Sequence, residues 1–123
     1  MMNNDKKKIL IVDDDKGTRE FYRDLFENAG YSVSALSNPE AAYSSSVLFA
    51  PDLLVLDWEM PFGGGKKAYE SVTAALGHQL PVIFASGFPE KITYRPGAKV
   101  AVLGKPPDID VLLQEAERLL AAN

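Results

Sequence analysis

The 123-residue sequence predicts an α/β fold, a doubly wound five-stranded parallel sheet. Three observations carry that expectation. Two short apolar runs, residues 9–12 and 53–56, have the unbroken apolar character of strands buried on both faces, and each ends abruptly in aspartate. Segments with apolar residues at helical spacing alternate with the strand-like runs. The connections are short, so the alternation implies right-handed crossovers with helices on both faces of the sheet. The length fits one domain over residues 1–123, enough chain to bury a full core.

The elements follow in order. Residues 9–12 are the first strand. Phe21, Tyr22, Leu25, Phe26 and Ala29 then recur on one helical face, and Gly30 supplies a C-terminal stop. Residues 31–36 alternate weakly and read as a second strand. Asn38-Pro39-Glu40 is a cap followed by proline at the first helical position, predicting a helix to about Phe49. Residues 53–56 form the third strand and end at Asp57. Pro61 and Gly63-Gly64-Gly65 make 58–65 a loop before a helix over 66–76. Residues 81–85 are the fourth strand, ended by Ser86-Gly87. Pro89 and Pro96 break the next segment, so the fourth helix is expected to be short or degenerate. Residues 100–103 are the fifth strand, stopped at Gly104-Lys105-Pro106. Asp108 caps a last helix with Ile109, Leu112, Leu113, Ala116, Leu119 and Leu120 on one face.

Composition removes several function classes. Asp plus Glu is 17 against 13 Lys plus Arg, a net charge of −4, which lacks the basic field that nucleic-acid binding needs. There is no cysteine, hence no disulfide, thiolate metal site or cysteine nucleophile. The single histidine, His78, supports neither a histidine metal site nor a histidine relay, and reads as a surface or cap residue. No apolar stretch nears the roughly 20 residues of a membrane span, and no secretory signal is visible, so a cytoplasmic location is expected.

In an open parallel sheet, ligands bind outside the carboxyl ends of the strands. Those ends carry Asp13, Asp14 and Asp15, then Asp57, Ser86 and Lys105. Singly, each has a bland reading: a helix cap, a turn former, a turn residue, a solvated lysine. Together they make a site. The carboxylates repel one another, and at least one should hold a proton unless positive charge sits among them. Lys105 supplies one charge. All-oxygen ligation without His or Cys points to Mg²⁺ for the remainder. A site with Mg²⁺, a lysine and a hydroxyl is suited to neutralise three phosphoryl oxygens, and a carboxylate beside it can be the nucleophile of an aspartyl phosphate. Gly63-Gly64-Gly65 lacks the Lys-Ser or Lys-Thr of a phosphate-binding P-loop.

On these residues the sequence resembles the receiver domain of two-component response regulators along essentially its whole length. The matching positions are Asp13-Asp14, Asp57 in Asp57-Trp58-Glu59-Met60-Pro61, Gly65, Ser86, and Lys105-Pro106. The resemblance implies the strand order 2-1-3-4-5. It implies that Asp57 accepts a phosphoryl group from a phosphohistidine on a histidine kinase or histidine phosphotransfer protein. Asp13, Asp14, Asp57 and the backbone carbonyl of Glu59 would hold Mg²⁺. Ser86 would hydrogen-bond the phosphoryl group and Lys105 would pair with it. Glu59, Gly87 and Phe88 would surround the site, and Phe88 is expected to slow hydrolysis by excluding water. Such a chain is not an enzyme acting on other substrates; it catalyses only its own phosphorylation and dephosphorylation.

The sequence also departs from the family pattern. Val102 stands where the family usually has an aromatic switch residue, Gly87 replaces a common alanine, and Pro107 a frequent phenylalanine. Phe84-Ala85-Ser86-Gly87-Phe88 resembles a variant subclass with an F-A-T-G signature, which tends to be single-domain with a reduced fourth helix. The chain would then act alone or as a relay, with homodimerisation left open. Two alternatives are weighed against this. A receiver fold used as a phosphorylation-independent binding module fits the missing aromatic switch but not the intact acidic site. A haloacid dehalogenase-type phosphatase needs Asp-x-Asp-x-Thr on the first strand, and Asp13-Asp14-Asp15-Lys16-Gly17 lacks its last residue.

Overall fold

The structure, a computed structural model, describes residues 6–121. Five strands, β1 (Lys8–Val12), β2 (Ser32–Leu36), β3 (Leu53–Asp57), β4 (Val82–Ser86) and β5 (Val100–Gly104), pair in parallel in the order β2-β1-β3-β4-β5. The helices are α1 (Lys16–Asn28), α2 (Ala42–Phe49), α3 (Gly64–Leu76) and α4 (Ile109–Ala121).

The unbroken apolar runs are needed because both faces of the sheet are covered, and period two divides each strand between two cores. Ile9, Ile11, Leu53, Val55, Ile83 and Ala101 pack with Tyr22 and Phe26 of α1 and Leu112 and Ala116 of α4. Leu10, Val12, Leu54, Leu56, Val82 and Phe84 pack with Ala42 of α2 and Ala68 and Val72 of α3. β2 lies at an edge, which explains its weak pattern: all five residues are only half-buried.

Several boundaries differ from the sequence expectation, each for a local reason. Asp15 caps α1, so the helix starts well before its first apolar residue; it closes at Gly30, where φ is +99°. Phe21 is 44% exposed rather than core, because the stripe facing the sheet centres on Tyr22 and Phe26. Asn38 accepts the Ala41 amide at 3.1 Å, but Pro39 opens a 3₁₀ turn (Pro39–Ala41) and the α-helix begins only at Ala42. Gly63 and Gly64 take positive φ and turn the chain into α3 two residues earlier than expected. In α4 the buried stripe starts at Leu112, leaving Ile109 46% exposed beside the Asp108 cap.

The crossover between β4 and β5 holds no α-helix among the described residues, only a 3₁₀ turn at Pro89–Lys91. Pro89 and Pro96 bound it. Ile92 and Tyr94 anchor the segment instead, and the Tyr94 ring stacks on Phe84 at 5.1 Å and 9°.

Candidate functional site

Strand register assembles the site. β1 and β3 pair with Val12 opposite Leu56, so one residue further on Asp13 and Asp57 stand side by side at the carboxyl edge. Period two continues from Ile9 and Ile11 to Asp13, and from Leu53 and Val55 to Asp57, putting both on the α1/α4 face. Lys105 follows Ala101 and Leu103 with the same parity. Its ammonium donates to Asp13 Oδ2 at 2.8 Å and lies 3.2 Å from Asp57 Oδ1.

The three aspartates after β1 divide their work. Asp15 caps α1, its Oδ2 accepting the Thr18 amide and hydroxyl at 2.8 Å each; that hydroxyl bond chiefly holds its carboxyl below the usual range. Asp13 is fully buried, with Oδ1 accepting the Asp15 amide at 2.9 Å and its backbone carbonyl accepting from the Arg19 guanidinium. Asp13, Asp14 and Asp57 each place a carboxylate oxygen within 4.8 Å of the others. Burial, with the Asp13 charge adding to it, pushes the Asp57 carboxyl up to about 7. For Lys105, burial opposes the ammonium, but the bond to Asp13 and the charges of Asp13 and Asp57 outweigh it and raise its pKa. Lys105 therefore pairs with Asp13 and Asp57 while Asp14 stands beside them without a lysine or arginine partner among the described residues, the deficit of positive charge that a hard divalent cation would correct.

Ser86 is fully buried, and its place is also set by register, one residue past the Asp57–Ala85 pair. Its hydroxyl donates to Glu59 Oε2 and accepts the Phe88 amide at 2.8 Å. The other Glu59 oxygen accepts the Gly87 amide at 3.2 Å. The Glu59 amide donates to Asp57 Oδ1 at 3.2 Å, so one residue touches both ends of the site.

The model of the response regulator receiver domain matches residues 9–117. The chain belongs to that family. Response regulator receiver protein CpdR of Brucella abortus is 30% identical over 120 residues, covering 94% of this chain and 98% of that protein. Response regulator protein TmoT of Ectopseudomonas mendocina is 35% identical over 86 residues, 70% of this chain, which spans 39% of TmoT's length. Among solved structures, the receiver domain of the hybrid histidine kinase CckA superposes with a TM-score of 0.77 at 29% identity, covering 92% of this chain and 98% of that one.

Three further residues complete the picture of this receiver domain. The Phe88 ring is 54% exposed and takes the Lys91 ammonium over its face at 4.7 Å. Trp58 follows Asp57 in sequence but belongs to the opposite face, packing edge-on against Phe84 at 5.3 Å and Tyr94 at 6.1 Å. Strand alternation puts Trp58, next after Asp57, on the face covered by α2 and α3. His78 is exposed, with Nδ1 3.1 Å from the Leu76 carbonyl at the end of α3.

What sequence reasoning missed is the bonding of the Glu59 side chain to Ser86 and Gly87. The residues it joins are 27 and 28 positions apart, and no spacing rule signals the contact. Beside Lys105, a cleft of about 410 Å³ runs between α1 and the turn after β5, lined by Thr18, Phe21, Tyr22 and Pro106. Burial raises the Tyr22 hydroxyl to about 12, and it has no hydrogen-bond partner among the described residues.

Proposed function

We propose that this receiver domain accepts a phosphoryl group from a phosphohistidine of a histidine kinase or histidine phosphotransfer protein onto Asp57, and acts in the cytoplasm as a single-domain regulator or relay. The observation that supports this best is Lys105 bridging the buried Asp13 and Asp57, with the exposed Asp14 beside them, in a cluster short of positive charge. Among the described residues no helix is long and apolar enough to cross a membrane.

Asp13, Asp14, Asp57 and the Glu59 carbonyl would hold Mg²⁺, whose charge would offset that of the phosphoryl oxygens. A carboxylate oxygen of Asp57 attacks phosphorus, the P–N bond breaks, and the imidazole leaves with the bonding electron pair. Lys105 neutralises charge on the transferred group, and the Ser86 hydroxyl and Gly87 amide bond its oxygens. The cleft beside Lys105, with Phe21 exposed on its wall, offers the donor protein a surface next to the acceptor.

Acetyl phosphate with Mg²⁺ should produce a phosphorylated species in the intact mass spectrum. It should be absent without Mg²⁺ and absent from Asp57→Asn. Lys105→Ala should retain Mg²⁺ binding but phosphorylate at least about tenfold more slowly. Failure of the wild type to be phosphorylated by acetyl phosphate or by any kinase tested would replace this reading with that of a binding module. Phe88→Ala should shorten the lifetime of the phosphorylated form; an equal or longer lifetime contradicts a shielding role for the ring.

A further inference from the structure

The donors assigned above to the phosphoryl group already hold an anion. Ser86 is fully buried, and a hydroxyl has one proton to give. That proton goes to Glu59 Oε2, while the lone pairs of Ser86 receive the Phe88 amide. The Gly87 amide goes to Glu59 Oε1. A single carboxylate thus spans both donors, as two oxygens of a phosphoryl group would.

We infer that the Glu59 carboxylate is an internal occupant of the phosphoryl-oxygen site, displaced by the incoming group. This rests on the phosphoacceptor reading of Asp57 and adds to it a residue that sets the affinity for the phosphoryl group. Three features suit Glu59 to the part. Among the described residues no lysine or arginine forms an ion pair with it, so only the Ser86 and Gly87 donors hold its carboxylate. Glu59 is an exposed residue in the loop after β3, so its side chain can swing into solvent. Its backbone stays anchored, because its amide donates to Asp57 rather than to the departing side chain. Occupancy gives the buried Ser86 hydroxyl an acceptor before phosphorylation. The exchange replaces one anion with another on the same donors, and the phosphoryl group binds only by the difference between them.

The test is titration of beryllofluoride in the presence of Mg²⁺, read by fluorine NMR of the bound anion. Glu59→Ala should bind on the order of tenfold more tightly than wild type. Glu59→Asp keeps the charge but is one methylene too short to reach Ser86, and should come within about threefold of the alanine variant. Glu59→Gln, which keeps the reach but not the charge, should lie between. In a Ser86→Ala background the gain from Glu59→Ala should shrink to under about threefold, since one of the two contested donors is gone and only the Gly87 amide remains. Wild-type affinity in Glu59→Asp would show long-range repulsion rather than occupancy and overturn the inference. So would unchanged or weaker binding in Glu59→Ala; in both cases wild-type binding leaves Asp57 standing as acceptor. If neither wild type nor any variant binds, the phosphoacceptor reading itself fails, and the inference with it.

Discussion

At pH 8 and without divalent metal, Gly64→Ala should lower the unfolding free energy by about 3 kcal/mol or more, the largest loss expected from a methyl group added at any of the described glycines. Gly64 has φ +62°, and a Cβ built on it would stand 2.1 Å from the Trp58 carbonyl oxygen. The obstacle is backbone at the carboxyl end of β3, so no side-chain rotation relieves it. The neighbouring Gly65 is similarly constrained, its would-be Cβ lying 2.7 Å from the Asp57 carbonyl oxygen. The start of α3 is thus pressed against the peptide groups that carry Asp57, and pushing it away should also move the carboxylate. Gly77→Ala is the control. It too has positive φ, +76°, but nothing lies within 4 Å of its would-be Cβ, so only the conformational cost of about 1 kcal/mol should appear. Denaturant unfolding of both variants measures the difference, and calorimetric Mg²⁺ titration should show weakened binding in Gly64→Ala alone. Equal losses at the two positions would refute the close-contact argument.

Asp57→Asn should do the reverse, stabilising the metal-free protein by roughly 2–3 kcal/mol more at pH 8 than at pH 5. The sign follows from where the proton sits. Asp57 has a folded-state pKa raised to about 7, against about 3.9 for an unfolded aspartate. Between these values the folded protein holds a proton that the unfolded chain has released. Stability from this group is therefore full below pH 4 and is lost as pH rises through 7. Above that, the native state carries a buried charge beside Asp13, which Lys105 at 3.2 Å only partly offsets. Asparagine carries no such charge. Saturating Mg²⁺ should invert the order of the two proteins, because it binds the folded wild type through the carboxylate that the variant lacks. Urea unfolding of both proteins at pH 5, 6, 7 and 8, with and without Mg²⁺, gives the full comparison. A stability difference independent of pH would show that Asp57 is not held near neutrality by its surroundings.

Both predictions concern residues whose roles were unequally legible beforehand. Asp13, Asp57 and Lys105 could be found because buried strands announce themselves as apolar runs, and a charge that terminates such a run has to lie at the sheet edge. The crossover after β4 was legible for a negative reason: Pro89 and Pro96 each remove a helix hydrogen-bond donor, and the chain there forms only a 3₁₀ turn. Gly65 could be matched as a position, but the approach that demands glycine is a contact between a helix start and the strand end eight residues before it. Phe21 and Ile109 were misplaced because apolar periodicity marks a face more broadly than the stripe that meets the sheet.

By itself the sequence determined the order of strands and helices, the division of each buried strand between two apolar faces, and the residue types gathered at the carboxyl edge. These are local properties: period, punctuation and the residue at which a run stops. Only the tertiary structure decided that Asp15 is the residue that caps α1, because capping depends on where the helix begins. It alone put the Glu59 carboxylate on the Ser86 hydroxyl and the Gly87 amide. Such contacts arise where loops from different strands converge, and their partners are chosen by register and backbone direction, which no window of neighbouring residues contains.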